Sequence, residues 1–254
     1  MELKKISDRI YYLPAEERTD RPILGYIRGD NYSLAVDAGN SSDHIEKLYR
    51  ELRDLGPRLP DFTVITHWHW DHSFGMHSVS GTTLASHPTN EKLAEVQQWE
   101  WTDEAMKKRL QSGEEIDFCD QCIRLEYPDR SKIKVVTAEI EFNGSITFDL
   151  GGVSCEIREF TSPHSIDSVL IYVPKERIVF IGDAESGDYY QNNGEYDRAK
   201  LTEMIIVLEK IDVDTIMPGH DGPQPKAAVM NFLKNEFDRL SIYDLKIPGG
   251  DEND

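Results

Sequence analysis

The chain has 254 residues, a formal net charge of −19 and only three cysteines. That length favours one layered domain with a large apolar core. So acidic a surface repels phosphodiester backbones, which argues against nucleic acid as a partner. The few cysteines argue against a disulfide scaffold and predict a reducing, cytoplasmic location. No run of signal-peptide or membrane-spanning length occurs, so we expect no association with membranes.

The first predicted elements are three short strands, at about 9 to 13, 22 to 28 and 32 to 37, separated by polar turns. Ser41-Ser42-Asp43 offers N-cap residues for a helix that runs to about Leu55 and ends at Gly56-Pro57. The β-branched, apolar run at 62 to 66 then predicts a buried strand.

A second group of strands is predicted from about 133 to 180, with at least four strand-like runs. Asn143-Gly144, between alternating segments, predicts a β-hairpin, and Gly151-Gly152 marks another turn. Helices are expected at about 197 to 210 and 224 to 239, with a strand at 213 to 217 between them. This order predicts an α+β fold in a single domain over 1–246. The acidic, glycine-containing tail at 247–254 is predicted to be disordered.

Residues 88 to 130, called the insertion below, form an unusually long connection and are predicted to be a helical lid. Thr89-Asn90 is expected to cap one helix that continues through the tryptophans at 99 and 101 to Leu110. All four tryptophans fall between 68 and 101. Packing of the insertion onto the sheets explains them most simply. The alternative is an aromatic wall for an apolar or cationic substrate group.

Directly after the strand at 62 to 66, the chain reads His67-Trp68-His69-Trp70-Asp71-His72. Imidazole nitrogens and carboxylate oxygens are ligands of zinc, iron and manganese. Residues 67 and 69 project from one face of an extended chain, and residues 71 and 72 follow about one turn later. The pattern therefore predicts a metal site.

Three further ligand-type residues, His164, Asp183 and His220, each follow a strand-like segment. Side chains beyond the ends of separate strands can converge on one edge of a sheet. A structural site usually closes at four ligands, so seven candidates suit two ions. The predicted metal ligands are His67, His69, Asp71, His72, His164, Asp183 and His220.

These residues, in this order and over most of the chain, resemble the metallo-β-lactamase-fold hydrolase superfamily. The resemblance implies a four-layer αβ/βα sandwich, in which two mixed β-sheets pack face to face with helices outside. It also implies one ion held by His67, His69 and His164, a second held by Asp71, His72 and His220, and Asp183 bridging the two.

Two departures from the family pattern are visible. The segment Ser162-Pro163-His164-Ser165 lacks the glycine that the family usually places next to this ligand. Di-zinc β-lactamases usually have a cysteine where this chain has Asp183, and they carry an export signal. We therefore do not expect antibiotic hydrolysis to be the native role.

Two bridged cations can hold a water between them and lower its pKa, which gives a bridging hydroxide near neutral pH. The expected function is a binuclear metal-dependent hydrolase that acts on a small-molecule ester, thioester, lactone or amide. Zinc is the first expectation for the two divalent ions, with iron or manganese also open. Asp71 is expected to have a catalytic role as well, orienting the water or accepting its proton. No nucleophile-elbow motif is present.

Other functions remain open at this stage. A phosphoesterase of the same fold would use the same ligands. A mononuclear iron dioxygenase resembling the persulfide dioxygenases also fits, because ligand identity alone does not select the metal. A non-catalytic binding module would leave the full ligand set unexplained. Cys119 and Cys122 form a lone Cys-x-x-Cys, interpreted as structural. Tyr189 or Tyr190 could hydrogen-bond a substrate oxygen.

Overall fold

The computed structural model describes residues 2–244, so the predicted tail at 247–254 lies outside the described residues. The strands are β1 (Lys4–Lys5), β2 (Ile10–Leu13), β3 (Leu24–Arg28), β4 (Ser33–Val36), β5 (Phe62–Val64), β6 (Thr82–Ser86), β7 (Ile140–Phe142), β8 (Ser145–Asp149), β9 (Ser154–Glu159), β10 (Val169–Val173), β11 (Ile178–Gly182), β12 (Thr215–Pro218) and β13 (Gln224–Pro225). The helices are α1 (Ser42–Leu55), α2 (Trp70–Ser73), α3 (His87–Val96), α4 (Asp103–Ser112), α5 (Asp117–Glu126), α6 (Arg198–Lys210) and α7 (Lys226–Asp244).

The strands form two mixed sheets. In the first, β1 to β7 lie in sequence order, antiparallel from β1 to β4 and parallel from β4 to β7. Parallel neighbours need crossover connections, and α1 and the insertion lie within two of these. The second sheet has the order β13-β12-β11-β10-β9-β8, with β11 and β12 parallel and the other neighbours antiparallel.

Three apolar layers hold this architecture together. One joins α1 and the insertion to the outer face of the first sheet, through residues such as Leu48 and Ile123. The second lies between the sheets, where Ile27 and Ile171 belong to one cluster. The third packs α6 and α7 on the second sheet, for example through Leu208. Three buried layers between four layers of backbone confirm the predicted α+β sandwich of two sheets with outer helices.

The start and end of α1 confirm the sequence prediction. The Ser41 hydroxyl accepts from the backbone N–H of His44 at 3.2 Å, which satisfies one of the unpaired donors of the first turn. At the other end, Gly56 adopts a left-handed conformation with φ of 92°, and its N–H donates to the carbonyl oxygen of Leu52. The helix therefore ends at the predicted glycine.

The hairpin predicted at Asn143-Gly144 is wrong. Strand β7, before this dipeptide, is an edge of the first sheet, while β8, after it, belongs to the second sheet and pairs with β9. The dipeptide therefore carries the chain between the sheets, with Gly144 at a φ of 71°. The tight connection at Gly151-Gly152 forms the antiparallel pair instead, and both of its glycines have positive φ.

The single long helix predicted for the insertion is also wrong, because the structure has three helices there. Helix α3 begins one residue after Ser86, whose hydroxyl accepts from the Thr89 N–H at 3.3 Å. A second N-cap follows, because the Thr102 hydroxyl accepts from the Ala105 N–H at 3.2 Å and starts α4. The two N-caps start two separate helices, so the segment between them, from 97 to 101, does not continue the helical periodicity. Within residues 2–244, no helix is both long and apolar enough to cross a bilayer.

Candidate metal centre

The elements place all seven sequence-predicted ligands at one end of the sandwich, between the two sheets. The four at 67 to 72 lie just beyond β5 and in the short helix α2. The other three follow β9, β11 and β12. Within each of two groups, the candidate ligand atoms lie within 4.8 Å of one another. The first group is His67, His69 and His164, and the second is Asp71, His72, Asp183 and His220.

In the first group, three imidazoles face one point. His164 Nε2 lies 3.0 Å from His69 Nδ1, and His67 Nε2 is buried without a hydrogen-bond partner. His164 Nδ1 lies 3.0 Å from the Gly187 carbonyl oxygen, which fixes the ring proton on Nδ1 and leaves the Nε2 lone pair aimed at the group. Burial and the neighbouring imidazoles lower the pKa of His67 and His69 well below the usual range. They are therefore neutral, as metal ligands must be.

The second group alternates imidazoles with carboxylates. Asp71 Oδ2 lies 3.0 Å from His72 Nε2 and 3.1 Å from His220 Nε2. Burial lowers the pKa of both imidazoles, but the two carboxylates outweigh it and raise the pKa well above the usual value. The carboxylates in turn carry a lowered pKa because these imidazoles face them. The cluster is thus built to stabilise positive charge.

Asp183 lies between the two groups. Its Oδ1 is 3.3 Å from His72 Nε2, and its Oδ2 is 3.4 Å from His220 Nε2 and 3.8 Å from His164 Nε2. The Oδ1 atom is buried and has no hydrogen-bond partner. Gly219 approaches so closely that a Cβ there would stand 1.9 Å from this oxygen. The carboxylate therefore faces candidate ligands of both groups, and a glycine at 219 is needed to leave room for it.

Asp37, which the sequence analysis did not single out, orients the second group. Its Oδ2 lies 2.8 Å from His72 Nδ1, and the carboxylate also accepts from the Thr66 N–H at 2.7 Å and hydroxyl at 3.0 Å. A carboxylate behind an imidazole ligand fixes the tautomer and the ring orientation. The available signal was an apolar strand, β4, that ends in an aspartate, the pattern that also precedes Asp183.

Side-chain hydrogen bonds hold the loop that carries His164, which lacks the family's usual glycine. Asp167, which is buried, accepts from the Trp68 N–H and from the Thr89 hydroxyl, both at 2.8 Å, and from the Ser165 hydroxyl. These bonds tie the loop to the motif after β5 and to the first turn of α3. Side-chain hydrogen bonds of this kind offer the backbone an alternative to a glycine turn.

A cavity of about 470 Å³, called the central cavity below, opens onto both groups. Ile116, Phe118 and Cys119 of the insertion line it opposite the candidate ligands, and Tyr189 and Tyr190 lie beside them. Within residues 2–244, neither lysine nor arginine is among its lining residues. A third carboxylate, Asp20, faces it, and burial together with the Asp71 carboxylate raises the pKa of Asp20 to about 7. Negative charge is therefore concentrated around the candidate ligands.

Residues 25–220 match the family model described as the metallo-beta-lactamase superfamily. The chain belongs to this superfamily. A search of curated proteins found no significant match. Among solved structures, the chain is similar to DIM-1 metallo-beta-lactamase, with 18% identity, 94% of this chain and 99% of that chain covered and a TM-score of 0.65. A metallo-beta-lactamase from Pontibacter korlensis is similar at 18% identity, with 92% and 99% coverage and a TM-score of 0.60.

A third similar structure is the sec-alkylsulfatase Pisa1 from Pseudomonas sp., at 16% identity with a TM-score of 0.70. It covers 96% of this chain, but this chain spans only 42% of the sulfatase. At these identities, the three structures establish a shared fold. The superfamily's fold typically binds metals, and both groups of this chain offer suitable ligands.

The tryptophans of this superfamily member have different surroundings. Trp68 lines a neighbouring cavity of about 390 Å³ together with His69 and His164, whereas Trp70 is buried in the core. Trp99 and Trp101 lie in the connection between α3 and α4, and both rings have the Arg109 guanidinium at 4.7 Å. Neither of these two lines the central or the neighbouring cavity. Their contacts support packing of the insertion rather than a substrate wall.

Replacing Trp99 or Trp101 by alanine is therefore expected to lower the free energy of unfolding by about 2 kcal/mol each, since both rings are half-buried and lose a cation–π contact. Relative kcat/KM for large and small substrates should stay the same. Chemical unfolding and a matched pair of substrates measure both quantities. A selective loss of the bulkier substrate at unchanged stability would contradict the packing interpretation.

Tyr190 joins the insertion to the candidate metal centre. Its hydroxyl donates to Glu115 Oε1 at 3.0 Å, and its ring lies 4.9 Å from the His69 ring and 5.3 Å from that of Trp68. Glu115 is 6% exposed, and burial raises its pKa to about 7 although the Ile116 N–H and the Tyr190 hydroxyl oppose this. The insertion thus holds a buried carboxyl group whose pKa lies above its ordinary value of 4.5.

The raised pKa of Glu115 makes the free energy of unfolding depend on pH. Because the folded chain retains the Glu115 proton where the unfolded chain releases it, stability falls as pH rises from about 4.5 to about 7 and is then flat. A Glu115→Gln variant keeps an acceptor for Tyr190 and cannot ionise. From pH 5 to pH 8, the wild type should lose about 3 kcal/mol relative to this variant in urea unfolding of chelator-treated protein. Parallel pH profiles of the two proteins would refute the assignment.

Proposed function

We propose that this chain is a binuclear metal-dependent hydrolase of a small-molecule ester, thioester, lactone or amide. The observation that carries the proposal is the position of Asp183, whose two oxygens face ligands of both groups. His67, His69 and His164 would hold one ion. Asp71, His72 and His220 would hold the other, and Asp183 would bridge the pair.

The residues present fit two divalent cations. Buried His67 Nε2 and Asp183 Oδ1 have no hydrogen-bond partner, and such orphaned atoms carry a large desolvation cost unless a ligand satisfies them. Three neutral imidazoles in one group, and two imidazoles with carboxylates in the other, are donors for borderline ions such as zinc, iron or manganese. Two such ions would supply a water of lowered pKa and polarisation of the scissile carbonyl oxygen.

The chain's own residues would position the reactants. Asp71, only 4% exposed, lies in the lining of the central cavity, where its carboxylate can accept a hydrogen bond from the attacking water and hold it in place. Ile116 and Phe118 of the insertion add apolar surface to the cavity wall, where they can contact an apolar part of a substrate. Tyr189, half-exposed in the same lining, can donate a hydrogen bond to a substrate oxygen.

The charge of the central cavity favours neutral or cationic substrates. Asp71 and Asp183 offset about half of the charge of two dications, and Asp20 offsets more of it when it is ionised. Recognition of phosphate or sulfate groups ordinarily uses arginine or lysine, and the described part of the chain contributes neither to the lining. The apolar side chains instead provide room for an apolar substituent. Carbonyl substrates therefore fit this cavity better than phosphate or sulfate esters.

The test is a substrate panel on protein stripped with chelator and reloaded with zinc, iron(II) or manganese. We expect metal-dependent hydrolysis of nitrophenyl esters, thioesters or lactones, and little turnover of nitrophenyl phosphate and sulfate. A His67→Ala variant is the matched control, because it loses a ligand of the first ion. Faster turnover of phosphate or sulfate, or oxygen uptake by the iron-loaded protein with a persulfide, would contradict the proposal.

A further inference from the structure

We propose that Asp20 is a positioning residue that orients His220 toward the second ion; this inference rests on the proposed binuclear centre. Asp20 lies in the connection between β2 and β3, far in sequence from every candidate ligand. It belongs to no ligand motif of the chain. Its role follows from where the fold places its carboxylate.

The two ring nitrogens of His220 face different carboxylates. Nε2 lies 3.1 Å from Asp71 Oδ2 and 3.4 Å from Asp183 Oδ2, while Nδ1 lies 3.6 Å from Asp20 Oδ1. At 3.6 Å the Asp20 carboxylate lies at ion-pair rather than hydrogen-bond distance from Nδ1. A carboxylate on this side favours the ring proton on Nδ1, so that the lone pair of Nε2 points into the ligand group. Asp20 thus faces His220 Nδ1 from the side on which Asp37 faces His72 Nδ1, but at 3.6 Å instead of 2.8 Å.

His220 needs such an anchor more than the other imidazoles do. Its side chain is 35% exposed, whereas that of His72 is fully buried. Packing therefore holds His72 on all sides but leaves one side of the His220 ring open to solvent. The Asp20 side chain is 16% exposed and faces the ring from within the wall of the central cavity. A carboxyl group facing the ring nitrogen can restrict ring rotation where packing does not.

The connection that carries Asp20 is itself fixed. Asp20 has a φ of 54°, a left-handed conformation that aspartate tolerates better than most residues, and its N–H donates to the Glu17 carbonyl oxygen. The buried Asn40 side chain donates to the Thr19 carbonyl oxygen at 2.7 Å. On the other side, Arg21 is paired with Glu126 of α5 at 2.6 Å. The insertion therefore helps to hold Asp20 against His220.

The experiment uses Asp20→Asn and Asp20→Gly, because both residue types accept the left-handed backbone. Glu17→Gln is the matched control, since it removes an exposed carboxylate from the same connection. Co²⁺ is titrated into the full-length, chelator-stripped protein. Visible absorption reports the geometry of each site, and a competing chelator gives the Kd of each step.

We expect the second Co²⁺ to bind about 10–100-fold more weakly to Asp20→Gly, with altered absorption for that step. Asp20→Asn should show a smaller loss, because its amide oxygen still presents partial negative charge to His220 Nδ1. The first step should be unchanged, and Glu17→Gln should behave as the wild type does.

An unchanged second step in both Asp20 variants would overturn the inference while leaving the binuclear centre intact. Equal weakening of both steps with a lowered Tm would also overturn it, because Asp20 would then only support the fold. Binding of a single Co²⁺ by the wild type would instead refute the binuclear centre and the inference together.

Discussion

An Asp183→Asn variant is expected to retain close to one metal ion per chain and to lose about 10³-fold in kcat, equivalent to about 4 kcal/mol. The amide keeps the volume of the side chain but loses the charge and one oxygen donor. Two dications at a binuclear spacing repel each other strongly, and a bridging carboxylate offsets that repulsion. The weaker of the two ions should therefore dissociate. Elemental analysis and steady-state kinetics measure the two effects.

The matched control for this variant is Asp54→Asn, which makes the same chemical change at an exposed position near the end of α1. It should leave metal content and turnover unchanged. Circular dichroism should show the fold retained in both variants. Two ions per chain and full activity in Asp183→Asn would contradict the bridging role.

Replacing Asp37 by alanine is expected to lower the free energy of unfolding of the metal-free protein by about 3–5 kcal/mol, or roughly 10 °C in Tm. The change leaves three buried donors without their acceptor, namely the Thr66 N–H, the Thr66 hydroxyl and His72 Nδ1. It should also weaken binding of the second metal, because His72 loses its orientation.

Thr66→Val is the graded comparison for Asp37→Ala, since it removes only the hydroxyl donor and should cost about 1 kcal/mol. Urea unfolding in the presence of chelator measures both variants without the contribution of bound metal. If Asp37→Ala is no less stable than Thr66→Val, Asp37 does not organise the site in the way described.

The parts of this protein that could be predicted from sequence are those encoded by local signals. The segment from 67 to 72 places four candidate ligands, three histidines and one aspartate, directly after a buried strand, so their proximity follows from the local sequence. The boundaries of α1 follow from a serine cap and a terminal glycine. The remaining candidate ligands could be singled out because each follows a strand-like segment and the whole order resembles one superfamily.

The parts that could not be predicted depend on contacts across the fold. In the sequence, no ligand motif distinguishes Asp37 and Asp20 from the other acidic residues. Only the folded chain places their carboxylates near the Nδ1 atoms of His72 and His220. The dipeptide Asn143-Gly144 has hairpin chemistry, but the chain uses its turn to change sheets. The sequence around Trp99 and Trp101 reads the same whether the two rings pack in the core or line a pocket. Only their contacts with Arg109 in the folded chain distinguish these cases.

The most direct test of the binuclear centre is native mass spectrometry of the full chain purified without chelator and supplied with zinc. We expect a mass increase that corresponds to two zinc ions per chain, reduced to one in Asp183→Asn. Only one bound ion in the wild type, or none, would contradict the central claim that His67, His69, His164, Asp71, His72, Asp183 and His220 form one two-metal site.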